Sequence, residues 1–413
     1  MSVLNRITRF FGKDATMEVY DSQTFGNIDN ALKLTDENCF DLAIAVPELF
    51  FPVDFFADRL SKLDYSIVDN NGKVLDNYTK RLKNLNPLYS FKDLVYKYVF
   101  SLYSYGNAIT YVHTSDSFAK NTFDSITRLD VLMPSLTEIK EFNTINELFI
   151  SDLNEAIQEV RYYNNAQRYK VIKKENVNVC GVGYKKQVGS LILDKSMLFI
   201  AEKAINILLS VYSARLNIYK NNGMAGILTK KTVPASSDIA SIGINGNNRE
   251  EIVKDINSRY GIVGRKNLWG ISGVPVEFIN TLSSIRELMP LEETLELSIK
   301  IASIFQIPPQ LVPRKDNSTF DNQASSERGV WSNALIPALQ TVEDNLTSIL
   351  KLPIGTKLKG DLSNVEALQE YNSEKEDFVA KKLANLEKLK ALSPESKEIE
   401  IEIQKIIKDY GTK

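Results

Sequence analysis

Apolar residues recur at helical spacing on either side of a proline pair in the last third of the chain. Pro308 and Pro309 end the first helical pattern, because proline lacks the amide donor and its ring clashes with the preceding turn. The polar run 314–319 predicts a loop, and Ser318 or Thr319 is suited to cap the next helix. The two apolar stripes are Leu295, Ile299, Ala302 and Phe305 before the prolines, and Trp331, Leu335, Leu339, Val342, Leu346 and Leu350 after them. The pattern therefore predicts a helix, a proline-stiffened polar loop and a long helix.

Helical and strand patterns alternate between residues 46 and 190, which predicts an α+β region. One helix is predicted over 46–63, and a second begins after the cap Ser90 and ends at Gly106. A hairpin is predicted around the turn Asp69–Gly72. Short strand patterns follow at 109–112, 129–133, 137–142 and 169–172.

The longest uninterrupted helical pattern before the prolines runs over 191–219, with Asp194 as its predicted cap. Its apolar residues fall on most faces, so we expect it to be buried on several sides, either in a core or between copies of the chain. Glycine and asparagine then become more frequent over 223–283, where short strands are predicted at 227–229 and 274–279. The next helix is predicted to start near Pro290, since proline suits the first helical turn.

The two ends of the chain have different patterns. Residues 1–45 are polar and irregular, which favours an arm that orders only against a neighbour. The residues after Gly360 are almost all helix formers, with leucines at helical spacing over 362–392 and a break at Ser393 and Pro394. They predict either a coiled-coil arm, a helical cap or a solvated amphipathic helix.

Composition restricts the classes of partner. A length of 413 residues predicts two or three domains, and the formal net charge of −2 provides no global basic field. We therefore do not expect a protein that binds duplex DNA tightly and statically. The charge is compatible with a ring that surrounds DNA without binding it tightly. Over 223–283, seven basic residues against five acidic ones give a net of +2, a mild excess typical of a solvated face. The apolar stretch 191–209 is interrupted by charged residues, so no membrane span is expected.

The residues needed for catalysis do not form any recognisable motif. The single histidine, His113, follows a strand pattern and is expected at the surface, and the two cysteines have neither disulfide-framework nor metal-ligand spacing. No complete phosphate-binding glycine loop occurs, because the run at Gly181 and Gly183 lacks the third glycine. We therefore expect no enzyme activity, no cofactor and no metal.

Three motifs in order give the chain a resemblance to a known family. They are Tyr105-Gly106-Asn107-Ala108 after an amphipathic helix, Asn221-Asn222-Gly223 followed by Gly226-Ile227-Leu228, and the run Phe305-Gln-Ile-Pro-Pro-Gln-Leu with Leu335-Ile-Pro-Ala-Leu downstream. Together they resemble the portal proteins of tailed bacteriophages of the HK97 type. The resemblance covers about residues 46–372, with Ile109 standing where that family usually has an aromatic residue.

The resemblance implies an α+β portal fold and a division of the chain into regions. The implied fold is ring-forming, with a wing, long stem helices, a small α/β clip and a helical crown. By position the regions are an N-terminal arm at 1–45, the first part of the wing at 46–190, stem helix 1 at 191–222, the clip at 223–283, stem helix 2 at 284–306, the tunnel loop and long wing helix at 307–358, and the crown at 359–413.

The resemblance also implies a structural function that involves no catalysed reaction. The chain would form a homododecameric ring at one capsid vertex, through which double-stranded DNA is packaged and ejected without reading its sequence. Its implied partners are the major capsid protein, the large terminase and a head–tail adaptor, with no membrane, and its location is the virion, or the host cytoplasm during assembly. The alternative is a soluble helical scaffold or adaptor protein without a channel.

The tunnel loop and the clip contain the candidate contact residues. The implied DNA-facing residues are Gln310, Arg314, Lys315, Asn317, Ser318 and Thr319, and the basic clip candidates are Lys230, Lys231, Arg249, Arg265 and Lys266. Arg314 and Lys315 have two equally open interpretations, a transient contact with phosphate oxygens or an ion pair with the neighbouring subunit.

Overall fold

The computed structural model describes residues 33–115, 122–142, 156–165, 168–220, 226–230, 276–280, 290–314 and 320–369, with residues 382 and 385. The chain divides into two compact units. The first unit is Met1–Phe50 with Met197–Ile304, and the second is Phe51–Ser196 with Phe305–Lys413.

Helices and strands alternate along the described chain. The α-helices are α1 (Cys39–Ala45), α2 (Pro47–Ser61), α3 (Asp76–Lys83), α4 (Phe91–Tyr105), α5 (Glu202–Lys220), α6 (Pro290–Ile304), α7 (Phe320–Val330) and α8 (Ile336–Ile349). The strands are β1 (Asp64–Asp69), β2 (Asn107–Thr114), β3 (Ile126–Val131), β4 (Thr137–Glu141), β5 (Ile157–Asn165), β6 (Arg168–Ile172), β7 (Val177–Gly181), β8 (Gly226–Lys230), β9 (Val276–Asn280) and β10 (Thr356–Asp361). This mixture confirms the α+β fold class.

All described strand pairs are antiparallel. The second unit contains two three-stranded sheets, with strand orders β3-β2-β7 and β4-β5-β6, and the two-stranded sheet β1-β10. A buried cluster joins apolar residues from both three-stranded sheets, namely Ile109, Leu132, Ala156, Ile157, Val160, Val177 and Ile192. Strands β8 and β9 pair within the first unit.

Several predicted boundaries are confirmed by local hydrogen bonding. Ser90 caps α4 through a capping box with Asp93, and Gly106 ends that helix in the left-handed region at φ 90°. Helix α6 begins at Pro290 and ends at Ile304, shortly before the proline pair. The helix after the loop continues through a π-helical turn at Trp331–Leu335.

The predicted irregular arm is wrong at its end, because Cys39–Ala45 forms helix α1. Its residues Cys39, Phe40, Leu42, Ala43 and Ile44 are all buried. The turn before it is closed by two hydrogen bonds, from the Thr35 amide to the Asn38 side chain (2.8 Å) and from the Asn38 amide to the Thr35 hydroxyl (3.3 Å). A helix this short gives a weak periodic signal, and its stability comes from burial. Residues 1–32 lie outside the described residues.

Two further predictions need correction. The helix predicted from residue 191 begins only at Glu202, after a 3₁₀ turn at Met197–Ala201. Asp194 does not cap it, because this carboxylate is buried and accepts a hydrogen bond from the Gly183 amide (2.8 Å). The hairpin at Asp69–Gly72 is reduced to a turn with one bridge, Val68 to Val74, and the strand partner of β1 is the distant β10.

Candidate functional site

The segment after α6 is held at its base by buried apolar side chains. The Phe305 ring lies 6.0 Å from the Phe56 ring and 6.2 Å from the Tyr103 ring, measured between centroids. Ile307 and Val312 are also buried, at 1% and 3% exposure. These contacts fix the start of the loop in the second unit, so its exposed residues are presented on an anchored base.

The backbone of this loop has a defined course up to Arg314. Gln306 has φ 56°, an uncommon left-handed conformation for a residue other than glycine, at the point where the chain leaves helix α6. Pro308 is extended, and a 3₁₀ turn follows at Pro309–Leu311, closed by a hydrogen bond from the Leu311 amide to the Pro308 carbonyl (3.0 Å). The proline pair therefore turns the chain sharply and stiffens it, as its sequence predicts.

Two of the six predicted loop residues lie in the described part of the chain. Gln310 and Arg314 are half-buried; Gln310 is the middle residue of the 3₁₀ turn, and Arg314 directly follows Pro313. The Oε1 atom of Gln310 and the Nε atom of Arg314 are buried and have no hydrogen-bond partner among the residues that the structure describes. Buried polar atoms without a partner are destabilising, so these two atoms are the ones in the described part of the loop that are open to a further hydrogen bond.

The remaining candidate residues are not brought together by the described structure. Lys315, Asn317, Ser318 and Thr319 lie outside the described residues. Lys230 is the last residue of β8 and is paired with Val276 of β9. The other clip candidates, Lys231, Arg249, Arg265 and Lys266, also lie outside the described ranges. The roles of these residues stay predictions.

The helix that follows the loop is fixed at its start and widened in its middle. Arg59 of α2 forms an ion pair with Glu327 of α7 at 2.9 Å. At Trp331–Leu335 the helix widens to a π turn, in which the Ile336 amide bonds to the Trp331 carbonyl. The cause is Pro337, which has no amide donor and whose ring would clash with the carbonyl four residues before it.

A buried carboxylate links this helix to β10. The Glu343 side chain is 8% exposed and accepts a hydrogen bond from the Gly360 amide (2.7 Å), with the Lys359 ammonium 3.8 Å away. Burial raises the pKa of Glu343, and the Gly360 amide partly opposes that rise. In the sequence, Glu343 lies beside the apolar positions Val342 and Leu346 of this helix. An acidic residue next to an apolar stripe was the only sequence feature that pointed to this buried contact.

The glycine–asparagine motif at the end of α4 has a complete structural explanation. Gly106 lies so close to the backbone of Lys195 and Ser196 that an added Cβ would be 2.5 Å from the Lys195 carbonyl carbon. The Asn107 side chain donates to the Asp194 carbonyl (2.7 Å) and accepts from the Asp194 amide (2.8 Å). The motif therefore joins α4 and β2 to the strand-like segment at Asp194.

His113 belongs to a cluster of polar side chains centred on Asp130. Asp130 receives hydrogen bonds from Arg128 Nε (2.7 Å) and the Tyr89 hydroxyl (2.9 Å), and His113 Nε2 lies 2.9 Å from its Oδ2. Burial opposes ionisation of Asp130, but the hydrogen bonds from Arg128, Tyr89 and His113 outweigh it and hold its pKa below the ordinary value. The cluster ties β2 and β3 to Tyr89 and is explained by folding.

No catalytic arrangement is found in the described residues. No group of three or more His, Cys, Asp or Glu side chains that could hold a metal ion occurs there. A groove of about 560 Å³ in the first unit has the charged lining residues Glu202, Lys203 and Lys300, without a nucleophile beside a base. None of the described helices is long and apolar enough to cross a membrane.

Comparison with known proteins gives one family and a consistent set of structures. The family model described as "Phage portal protein" matches residues 47–385. A chain from the neck of a native GTA particle computed with C12 symmetry is similar, with TM-score 0.55 and 14% identity, covering 83% of this chain and 89% of that one. A chain from the virion of a native gene transfer agent particle has TM-score 0.56 and 13% identity, covering 84% and 89%.

A crystal structure gives the same result. The HK97 family phage portal protein from Corynebacterium diphtheriae has TM-score 0.51 and 11% identity, covering 77% of this chain and 93% of that one. A comparison with curated protein sequences gives no match. At these identities the structural likeness establishes the fold.

Proposed function

This chain belongs to the phage portal protein family, and we propose that it forms the ring-shaped channel at one capsid vertex through which double-stranded DNA is packaged and ejected. The observation that carries the proposal is the family match over residues 47–385. The channel passes DNA without reading its sequence, which agrees with a net charge of −2 rather than a strongly basic protein. A soluble scaffold without a channel is not favoured by this family membership.

The ring we propose is a dodecamer. One structural neighbour comes from a particle neck computed with C12 symmetry, which supports this number. Identical subunits in a ring meet through two different surfaces that repeat and close by rotation. The role is structural rather than catalytic, and its location is the virion after assembly in the host cytoplasm.

We assign regions and partners by their position in the chain. The wing, formed by 46–190 and 307–358, meets the major capsid protein, and the stem consists of 191–222 and 284–306. The clip at 223–283 binds first the large terminase and later the head–tail adaptor, while 1–45 is assigned to the arm and 359–413 to the crown. The mild basic excess of the clip and its place between two long helices support its assignment.

The loop from Gln310 to Thr319 faces the channel in this proposal. Its base is anchored by Phe305, Ile307 and Val312, and at its described end Arg314 is half-buried, with a buried Nε atom that has no partner among the described residues. A phosphate oxygen or a carboxylate of the neighbouring subunit would complete that donor. Such contacts position DNA without reading bases, as a translocation channel requires.

Light scattering and negative-stain electron microscopy of the purified full-length chain test the ring. The proposal predicts a mass near twelve times 46.6 kDa and closed rings with a central hole. Compact particles without a hole, at salt concentrations that permit assembly, would contradict the proposed ring and favour the alternative of a scaffold protein without a channel.

A packaging assay tests the loop separately. The double variant Arg314→Ala, Lys315→Ala is expected to form rings and to package or retain less DNA. The matched control, Lys73→Ala, Lys80→Ala, removes two exposed cations from other elements and should package normally. If the loop variant packages DNA normally, this loop does not contact DNA in the channel. That result would not contradict the proposed ring.

A further inference from the structure

Strand β6 is the last strand of the sheet β4-β5-β6, and its outer edge is open among the residues that the structure describes. The side chains of Arg168, Tyr169, Lys170 and Val171 are all exposed, so both faces of this strand are accessible. An edge strand carries a row of unpaired amide and carbonyl groups, and these groups form a template for a further strand.

The side chains of this edge are typical of a protein interface. Tyr169 is 48% exposed and Val171 is 55% exposed. The Tyr169 ring lies 5.5 Å from the Tyr163 ring, and the Arg161 guanidinium lies 4.6 Å from the Tyr169 centroid. Tyrosine and arginine are enriched among the residues that dominate binding energy in interfaces. An aromatic platform of this kind is preformed and loses little conformational entropy on binding.

The edge is also strongly basic. Arg168, Lys170, Lys173 and Lys174 fall within seven residues that contain no acid. The Lys174 ammonium donates to the Ile157 carbonyl (2.8 Å), so its charge is held against the sheet. A basic edge repels a basic strand and favours an acidic one, which restricts the choice of partner. Lysines on an edge strand can instead serve only to prevent pairing, and the experiment below distinguishes the two roles.

The sequence contains a segment with the complementary properties. Residues 14–32 include the acids Asp14, Glu18, Asp21 and Asp29 and no lysine or arginine. Within them, Thr16-Met-Glu-Val-Tyr20 is rich in residues that favour strands. The thirteen Cα-to-Cα steps from Tyr20 to Lys33 can span at most ~45 Å when the chain is extended.

We propose that residues 16–20 of a neighbouring copy add a fourth strand to the sheet at the open edge of β6. The inference rests on the proposed ring, in which each subunit has a neighbour on either side. Backbone hydrogen bonds along the edge provide affinity, while Glu18 in the added strand and Asp21 directly after it make this segment acidic, which favours it over a basic segment at this edge. The exchange of an arm in one direction is a heterologous contact, and such contacts close into a ring.

Hydrogen exchange on assembled rings of the full-length chain tests the added strand. We expect the outward amides of Arg168–Ile172 to exchange about tenfold or more faster in Val19→Pro than in the wild type, because proline cannot pair along the edge. Val3→Pro, a proline elsewhere in the same arm, is the control and should leave these amides protected. Equal exchange in wild-type and Val19→Pro rings overturns the inference.

A charge exchange tests the pairing of Glu18 with the basic edge. Glu18→Lys and Lys170→Glu are each expected to raise the exchange rate of the β6 amides, and the double variant is expected to restore protection. Lys80→Glu combined with Glu18→Lys is the control, since Lys80 is exposed on α3, and it should restore nothing. If neither single variant changes the exchange rate, Glu18 does not pair with the edge, and the lysines of β6 serve only to prevent strand pairing.

A disulfide test identifies which copy supplies the arm. Val19→Cys with Val171→Cys is oxidised in assembled rings and separated on a non-reducing gel, with each single variant as control for the native Cys39 and Cys180. A ladder of cross-linked subunits supports the neighbour's arm, whereas a cross-linked monomer assigns the arm to its own chain and overturns the proposal. Rings without either product overturn this inference alone, while the absence of rings overturns the proposed function as well.

Discussion

The junction at Gly106–Asn107 and the loop at Gln306–Arg314 are both built on unusual backbone conformations, but they differ in how their polar groups are paired. At the junction, the Asn107 amide group is fully buried and meets both backbone groups of Asp194. In the loop, Gln310 Oε1 and Arg314 Nε are buried without a partner. The polar groups of the junction are therefore paired within the fold, whereas these two loop atoms have no partner among the described residues.

The largest effect is expected from Gly106→Ala at the junction. The new Cβ would lie 2.5 Å from the Lys195 carbonyl carbon, at a φ of +90° that alanine rarely adopts. We expect a loss of about 3 kcal/mol or more in the free energy of unfolding, measured by urea denaturation. Gly72→Ala is the matched control, because Gly72 has φ +79° with open space around it, and it should cost only about 1 kcal/mol. Equal losses would show that the close approach at Gly106 contributes nothing.

Asn107→Ala is the next largest expected change, because it leaves the Asp194 amide and carbonyl buried with fewer partners. We expect a loss of about 2–3 kcal/mol by the same measurement. Asn86→Ala removes an amide that is less buried and that donates to Leu129 and Asp130, so it should cost about half as much. An Asn107→Ala chain as stable as the wild type would contradict the structural account of this motif.

The sequence predicted the parts of both regions that depend on local rules. Ser90, Gly106 and Pro290 mark helix ends through capping and backbone preferences, and these act over a few residues. The partner of β1 could not be predicted, because β10 follows it by almost three hundred residues and Lys357–Gly360 has no strong strand pattern. Asp194 was misread as a helix cap, since a buried acid and a capping acid look the same in sequence.

The candidate site was predictable only as a position. The proline pair and the polar run located the loop, but the burial of Gln310 Oε1 and Arg314 Nε depends on three-dimensional packing that local patterns do not encode. Strands β5 and β7 were also missed. The apolar pattern of β5 is interrupted by Glu159 and Arg161, and the alternation in β7 covers only Val177, Val179 and the residues between and after them.

A smaller effect is expected from pH at the Asp130 cluster, which shares the fully paired character of the junction. The folded pKa of Asp130 lies below its ordinary value of 3.8, so its pairing stabilises the fold above about pH 4. That stabilisation is lost as the pH falls through the folded pKa. We therefore expect the stability difference between wild type and Asp130→Asn, measured by urea denaturation, to shrink as the pH falls below about 4. A difference independent of pH would contradict the role of the carboxylate charge.

The smallest effect on stability is expected from Arg314→Ala in the loop. This result would distinguish the loop most clearly from the junction at Gly106–Asn107. Its Nε makes no hydrogen bond to any described residue, so truncation should change the free energy of unfolding by no more than about 0.5 kcal/mol. The same variant should impair DNA retention in assembled particles. A loss of several kcal/mol would instead make Arg314 part of the fold and remove the contrast with Asn107.

Photo-cross-linking from position 310 tests the central claim most directly. A full-length Gln310→Cys chain, labelled with a photoreactive group and assembled into particles, is irradiated while DNA packaging is stalled, and Lys73→Cys is the exposed control. The account predicts cross-links from position 310 to DNA at many sequences and none from position 73. Cross-links from position 310 only to protein, in particles that contain DNA, would contradict a channel lined by this loop.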